Sequence, residues 1–220
     1  MQTLELVEKA AIERTAFDVI AIVASAGGLK AITAVLSALP ADFPAALVIV
    51  QHLSPRQPSL MAHILSRRSA LPVKQAEEGE RLRPGHVYLA PPDKHLVVNP
   101  DLTLSLTLTE KIHHVRPSGD ILFDSVSVAC GVRAIAVVLT GGDGDGTAGI
   151  RAIKAAGGVT LSQDEASSEQ FSMPRSAIAT GDVDHVLTLN AIAPMLVRLV
   201  GPEKASPKSP PLIPSQPGTT

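Results

Sequence analysis

Three places in the chain set a group capable of proton transfer or nucleophilic attack directly after an apolar run. Ser25 follows VIAIVA, and Gly27 and Gly28 come just behind it. His52 follows AALVIVQ, and Asp143 and Asp145 stand in GGDGDG, just after AIAVVLT. Serine, histidine and aspartate together are what acyl transfer needs. A serine hydroxyl is a weak nucleophile at neutral pH, and a neutral imidazole within hydrogen-bond reach takes its proton during attack. A carboxylate behind the imidazole fixes its tautomer and stabilises the imidazolium. Geometry defines such a triad, so the chain order Ser25, His52, Asp is admissible, with Asp143 or Asp145 as the carboxylate. With no Cβ at Gly27 and Gly28, the backbone can approach a substrate closely. N–H groups at the start of a following helix can stabilise an oxyanion.

Each residue also has a plainer use. Ser25 can cap the helix after its strand, Asp145 can be the N-cap of the helix behind it, and His52 can be a satisfied loop histidine. Other sharp readings fit less well. VASAGG is not G-x-G-x-x-G, and Lys30 lacks the spacing and the Ser/Thr neighbour of a phosphate-binding loop. VASAG approaches the nucleophile elbow G-x-S-x-G, with Val23 in place of the first glycine. GGDGDG could suggest a metal site, but it lacks the further oxygen ligands and distal glutamate of a calcium loop. His113 and His114 read as solvated loop residues, and Cys130 as a core residue on an apolar helix face.

The elements that must carry these groups follow from hydrophobic periodicity. Residues 18–24, 45–51 and 134–140 read as buried strands, and the VTLSQ segment as another strand. Helices follow the first two, with Leu29, Ile32, Leu36 and Leu39 on one and Leu60, Ile64 and Leu65 on the next. The middle of the chain (PVKQA, GHVYLAPP, KHLVVNP, LTLSLTL) reads as short strands and hairpins, with Leu102, Leu104, Leu106 and Leu108 on one buried face. Helices are expected over residues 120–131, through Ile150 and Ile153, briefly after Pro174, and from Asn190 onward. The expectation is an α/β fold: a doubly wound, mostly parallel sheet with flanking helices and a β-hairpin insertion. In such sheets ligands bind beyond the carboxyl ends of the strands, which places Ser25, His52 and the aspartates on one rim.

Composition narrows the function classes. Of 220 residues, 45% are apolar and only 2% aromatic, so the core must be aliphatic, as in buried parallel strands. A net charge of −2 without a basic run argues against nucleic-acid binding. No apolar run is long enough to span a membrane, and the single cysteine fits a reducing compartment. The first residues mimic a signal peptide, with Ala24-Ser25-Ala26 as a cleavage site. The acidic residues Glu5, Glu8, Glu13 and Asp18 before them oppose that reading, so a cytoplasmic protein is expected. Residues 1–17 form a lead-in, 18–200 the domain, and 201–220 a Pro/Ser-rich tail expected to be disordered.

The segments ASAGG, LPADFPAALVIVQHLSP, EEGERLRPGHVYLAPPDKHL, RPSGDILFDSV, VVLTG…DG and QDEASSEQFSMPRSAI stand in an order that resembles the catalytic domain of chemotaxis protein-glutamate methylesterases, the CheB type. The resemblance runs from about Asp18 to Val200. It implies Ser25 as nucleophile, His52 as base and Asp145, rather than Asp143, as the third member. It also implies hydrolysis of γ-glutamyl methyl esters on the cytoplasmic helices of chemoreceptors, with release of methanol. Some members also deamidate receptor glutamines. No cofactor is implied.

The sequence departs from the family pattern at three places. Val23 stands where the family usually has glycine, a change expected to crowd the nucleophile turn. RPSVD reads RPSGD, with Gly119. TGMGxDG reads TGGDGDG: Gly142 replaces the methionine, with an expected loss of packing near the aspartate. Asp143 replaces a glycine and adds a second carboxylate, expected to raise one carboxyl pKa. These changes motivate an alternative reading, a catalytically weakened receptor- or partner-binding module. The family's two-domain members carry a phosphorylatable receiver domain ahead of the esterase. Residues 1–17 are too short for one, which leaves a stand-alone esterase or an excised catalytic domain.

Overall fold

The computed structural model describes residues 19–52 and 59–201. The expected lead-in, Asp18 of the expected first strand and almost all of the tail lie outside the described residues, as do Leu53, Ser54 and Pro55 of the QHLSP segment. In chain order the elements are β1 (Val19–Ala24), α1 (Gly28–Ser37), β2 (Ala46–Gln51), α2 (Met61–Ser66), β3 (Val73–Gln75), β4 (Val87–Leu89), β5 (His95–Val98) and β6 (Leu104–Thr107). They continue with α3 (Gly119–Cys130), β7 (Ala134–Val138), α4 (Thr147–Ala155), β8 (Val159–Gln163), α5 (Ser172–Ile178), β9 (His185–Leu187) and α6 (Leu189–Val200).

Seven strands make one sheet in the order β3-β4-β2-β1-β7-β8-β9, and every pairing in it is parallel. β1 is central because its residues are apolar on both faces. Ile20, Ile22 and Ala24 pack into the layer that holds α1 and α6. Val19, Ala21 and Val23 pack into the opposite layer, which holds α3 and α4. This two-sided burial is why β1, β2 and β7 read as continuous apolar runs rather than as alternating ones. After β1 the chain moves one way, to β2, and returns later on the other side, as β7. The carboxyl end of β1 is therefore a switch point of the strand order, where such sheets open a crevice.

Three sequence expectations change here. β3 and β4 are not hairpin strands. They extend the main sheet in parallel, and residues 76–86 make the crossover between them. The only hairpin among the described residues is β5–β6, an antiparallel pair. Two helix faces are also rotated from the expected ones. In α1 the buried residues include Ala31, Ile32, Val35 and Leu36, while Leu29 is exposed. In α2, Met61 and Leu65 are buried, while Leu60 and Ile64 are exposed. Leu108 is exposed too, so the buried leucine face of the hairpin stops short of it.

Candidate active site

The strand ends are stitched together by backbone hydrogen bonds. The Ser25 amide donates to the Thr140 carbonyl (3.0 Å), and the His52 amide donates to the Ala24 carbonyl (3.0 Å). Ser25 thus sits between the ends of β2 and β7, as expected from the strand order. Neither plain reading of the aspartate or the serine survives. The N-cap of α1 is Gly27, at φ +77°, with no side-chain cap hydrogen bond, and the N-cap of α4 is Gly146.

The two glycines behind Ser25 have separate reasons. Gly27 takes a left-handed backbone conformation that costs other residues energy. Gly28 is needed for space: a Cβ there would collide with the Gln51 side-chain amide. That amide donates to the carbonyls of Ser25 (2.8 Å) and His52 (3.0 Å), tying the two turns to each other. Gly28 thus makes room for Gln51, whereas the sequence suggested room for a substrate. Across the turn, Met173 fills the space a Cβ on Gly141 would need, and Ser25 Cβ borders the same point.

Asp145 is fully buried and surrounded by donors. Its Oδ2 accepts from His52 Nε2 (2.8 Å) and the Gly119 amide. Its Oδ1 accepts from Ser118 Oγ (2.6 Å) and the Asp120 amide (3.2 Å). The carboxylate therefore caps the N-terminus of α3, where free amides and the helix dipole favour negative charge. Burial opposes its ionisation, but His52, Ser118 and Gly119 outweigh that and hold its pKa below the usual carboxylate range.

The hairpin fixes the start of α3. His95 on β5 is fully buried. Its Nδ1 accepts from the Ser118 amide (3.1 Å), so its Nε2 is the nitrogen that donates to the Glu110 carbonyl (3.0 Å). Arg116 reaches Asp93 (2.9 Å) and the Thr109 carbonyl (2.8 Å). The β-rich middle of the chain thus positions Ser118 and Gly119 against Asp145. Sequence reasoning singled out neither Ser118 nor His95. Their only signal was membership in the RPSGD and PPDKHL segments.

His52 is largely buried between two carboxylates. Its Nε2 is committed to Asp145, while its Nδ1 lies 3.3 Å from Asp143 Oδ2. That second contact is an ion pair by distance only: Nδ1 has no hydrogen-bond partner, so the carboxylate stands out of line with it. Burial of the ring disfavours charge, but Asp143 and Asp145 together override it and push the His52 pKa up to about 9. The expectation that one carboxyl pKa would rise is overturned. Asp143 is held below its usual value by His52, and Asp145 is lowered as well, because the imidazole between the two carboxylates carries the positive charge. The carboxyl that is raised is Asp120, through burial. It faces the Gly149 amide (2.8 Å) and His113 (3.4 Å). His113 and His114 are exposed and both have positive φ.

Val23 and Gly119 are two departures that answer each other. Val23 is fully buried against the start of α3. A Cβ on Gly119 would lie 2.5 Å from Val23 Cγ2 and 3.2 Å from Asp145 Oδ2. The valine therefore occupies the space that a side chain at position 119 would need, and the crowding expected at the Ser25 turn is taken up at Gly119. Gly142, by contrast, has nothing within 4 Å of a would-be Cβ, so its packing is not missed beneath Asp145. Gly119→Val alone should destabilise the protein by about 1–3 kcal/mol through overpacking and displace the Gly119 amide from Asp145. Val23→Gly/Gly119→Val should recover much of that loss, and thermal melts of the two singles and the double measure the coupling. Additive losses would show that the two positions are independent.

Beside the serine turn lies an open cleft of about 290 Å³, lined by Gly27, Lys30, Thr140, Gln163, Ser167 and Glu169 among others. It runs along the start of α1.

Comparison with known proteins shows the family and the fold. Residues 20–196 match the family model described as CheB methylesterase. A protein of Leptospira interrogans, provisionally named protein-glutamate methylesterase/protein-glutamine glutaminase, is 40% identical over 83% of this chain and 95% of its own length. Protein-glutamate methylesterase FrzG of Myxococcus xanthus is 41% identical over 84% of this chain, which spans 55% of FrzG. The crystal structure of the Thermotoga maritima CheB methylesterase catalytic domain superposes with a TM-score of 0.81 at 36% identity, covering 84% of this chain and 99% of that one.

Proposed function

Because the chain belongs to the CheB methylesterase family, we propose that it hydrolyses γ-glutamyl methyl esters on chemoreceptors, with Ser25, His52 and Asp145 as the reacting triad. The observation that carries this reading is the buried His52–Asp145 pair, with His52 hydrogen-bonded through its own backbone to the residue before Ser25. His52 Nε2 is engaged by Asp145, so Nδ1 is the nitrogen left to serve Ser25.

Neutral His52 takes the Ser25 hydroxyl proton at Nδ1 as the oxygen attacks the ester carbonyl. The Gly28 amide already donates to the Ser25 carbonyl (2.9 Å); the amides that follow it in α1 point their positive dipole ends at the turn and supply hydrogen bonds to the oxyanion. The tetrahedral adduct collapses, and the proton on His52 passes to the methoxide oxygen, which leaves as methanol. Water then attacks the acyl-enzyme, giving its proton to the same Nδ1. Collapse of the second adduct restores the serine hydroxyl and frees glutamate. A receptor glutamine fits the same sequence with ammonia as the leaving group, as the names of several relatives indicate. Methylated helices in the cytoplasmic part of a chemoreceptor are the natural substrate in this reading. Among the described residues no helix is long and apolar enough to cross a membrane.

A fluorophosphonate probe separates this reading from a binding module without turnover. Stoichiometric labelling should map to Ser25 and fall sharply in His52→Gln. Absence of labelling above the His52→Gln background would favour the binding module.

A further inference from the structure

Asp143 has no counterpart in the triad, yet it lies closer to the working nitrogen of His52 than a bystander should. Its Oδ1 accepts the Asp145 amide (3.1 Å), which fixes the carboxylate in the loop after β7. Its Oδ2 then faces His52 Nδ1 at 3.3 Å. The two carboxylates are unequal. Asp145 is fully buried, and donors from α3 saturate it. The Asp143 side chain is 34% exposed, so solvent and substrate can reach it. The one imidazole nitrogen that Asp145 leaves free, which the esterase reading reserves for Ser25, thus also faces an anion.

We propose that Asp143 is a positioning residue that competes with Ser25 for His52: its carboxylate holds the Nδ1 edge of the imidazole in the resting site, and the esterase becomes competent as that hold is released. The inference rests on the esterase reading above. In the held state His52 carries protons on both nitrogens: Nε2–H is hydrogen-bonded to Asp145, and the charge of the ring is paired across 3.3 Å with Asp143. It can accept nothing from Ser25 until the Nδ1 proton has passed to solvent. A substrate or partner cation that pairs with Asp143 releases the hold in the same way, by removing the anion's claim on the ring.

The charged surroundings allow this assignment. From the loop after β7, Asp143 and Asp145 face the ring. From the start of α3, Asp120 lies behind Asp145, with His113 on its far side. From the loop before α5, Glu169 leans over Gly27, in the serine turn. Asp143 is the partly exposed carboxylate that reaches Nδ1. Burial disfavours the charged ring, and Asp143 and Asp145 together reverse this and bring its pKa to about 9. The sign follows: the base must be unprotonated, so activity should climb as pH rises toward that value.

The test is NMR titration of the His52 imidazole in the wild-type protein, Asp143→Asn and Asp143→Gly, beside the pH profile of kcat/KM for methanol release. Asp143→Asn keeps an acceptor for the Asp145 amide, so it removes charge without opening the loop. The expected result is a His52 midpoint lower by roughly one to three pH units in both variants. The acid limb of kcat/KM should move with it, and activity near pH 7 should rise about tenfold or more. The same midpoints should appear in a Ser25→Ala background, which reads the His52–Asp143 contact without catalysis. An unchanged titration in both variants overturns the proposal even where methanol is released normally. A change of activity in Asp143→Gly but not in Asp143→Asn also overturns it, since Asp143 would then act only through the Asp145 amide. A shifted titration with no methanol released by any form overturns the esterase reading itself.

Discussion

Asp145→Asn is expected to lower turnover of a methyl-ester substrate about 10⁴-fold, the cost of putting a Ser-His-Asp imidazole in the wrong tautomer. Every group around Asp145 is a donor or can be one: His52 Nε2 and the Gly119 amide on one oxygen, Ser118 Oγ and the Asp120 amide on the other. An asparagine brings its own N–H₂ into this nest. Turned toward His52, that group makes Nε2 an acceptor and moves the ring proton to Nδ1, where it blocks Ser25. Turned the other way, it opposes the Asp120 amide; Ser118 can rotate to accept, but the backbone donor cannot. Either orientation leaves a buried donor unsatisfied, at about 1–3 kcal/mol. A lower melting temperature should therefore accompany the loss of turnover. Asp145→Asn with more than a tenth of wild-type kcat would exclude Asp145 as the group that orients His52.

Much of this arrangement was legible in the sequence, because buried parallel strands announce themselves. β1, β2 and β7 are apolar on both faces, so their ends, and with them Ser25, His52 and the aspartates, could be placed on one rim from the chain alone. The short strands were harder. β3 and β4 have three residues each, too few for a period to distinguish a hairpin from a parallel crossover. β9 lies at the sheet edge with its middle residue Val186 exposed, and it gave no apolar signal. The helix faces at Leu29 and Leu60 were misread because an apolar residue at helical spacing need not be a buried one.

What remained hidden was made by contacts between distant segments. Ser118 caps nothing on its own helix, yet it donates to a carboxylate 27 positions away in sequence. Val23 and Gly119 each looked like damage to a family pattern, and only their packing shows that one fills the space the other lacks. Asp143 looked only like a neighbour of Asp145, and its second oxygen proved to face His52. The local sequence named Val23, Gly119 and Asp143 but not Ser118, and for all four tertiary placement assigned the neighbour.

The central claim is that Ser25 is the nucleophile of an ester hydrolase. It predicts an alanine phenotype unlike that of any supporting residue. Ser25→Ala removes only a partly exposed hydroxyl, so His52, Asp145 and the α3 cap stay in place and the melting temperature should hardly move. Turnover should nonetheless collapse on the order of 10⁶-fold, as when the attacking group itself is deleted from a Ser-His-Asp site. The decisive measurement is methanol release from a methylated chemoreceptor fragment by the wild-type protein and by Ser25→Ala. The account predicts steady release by the first and none above background by the second. Equal release by both, with Ser25→Ala folded, would contradict it.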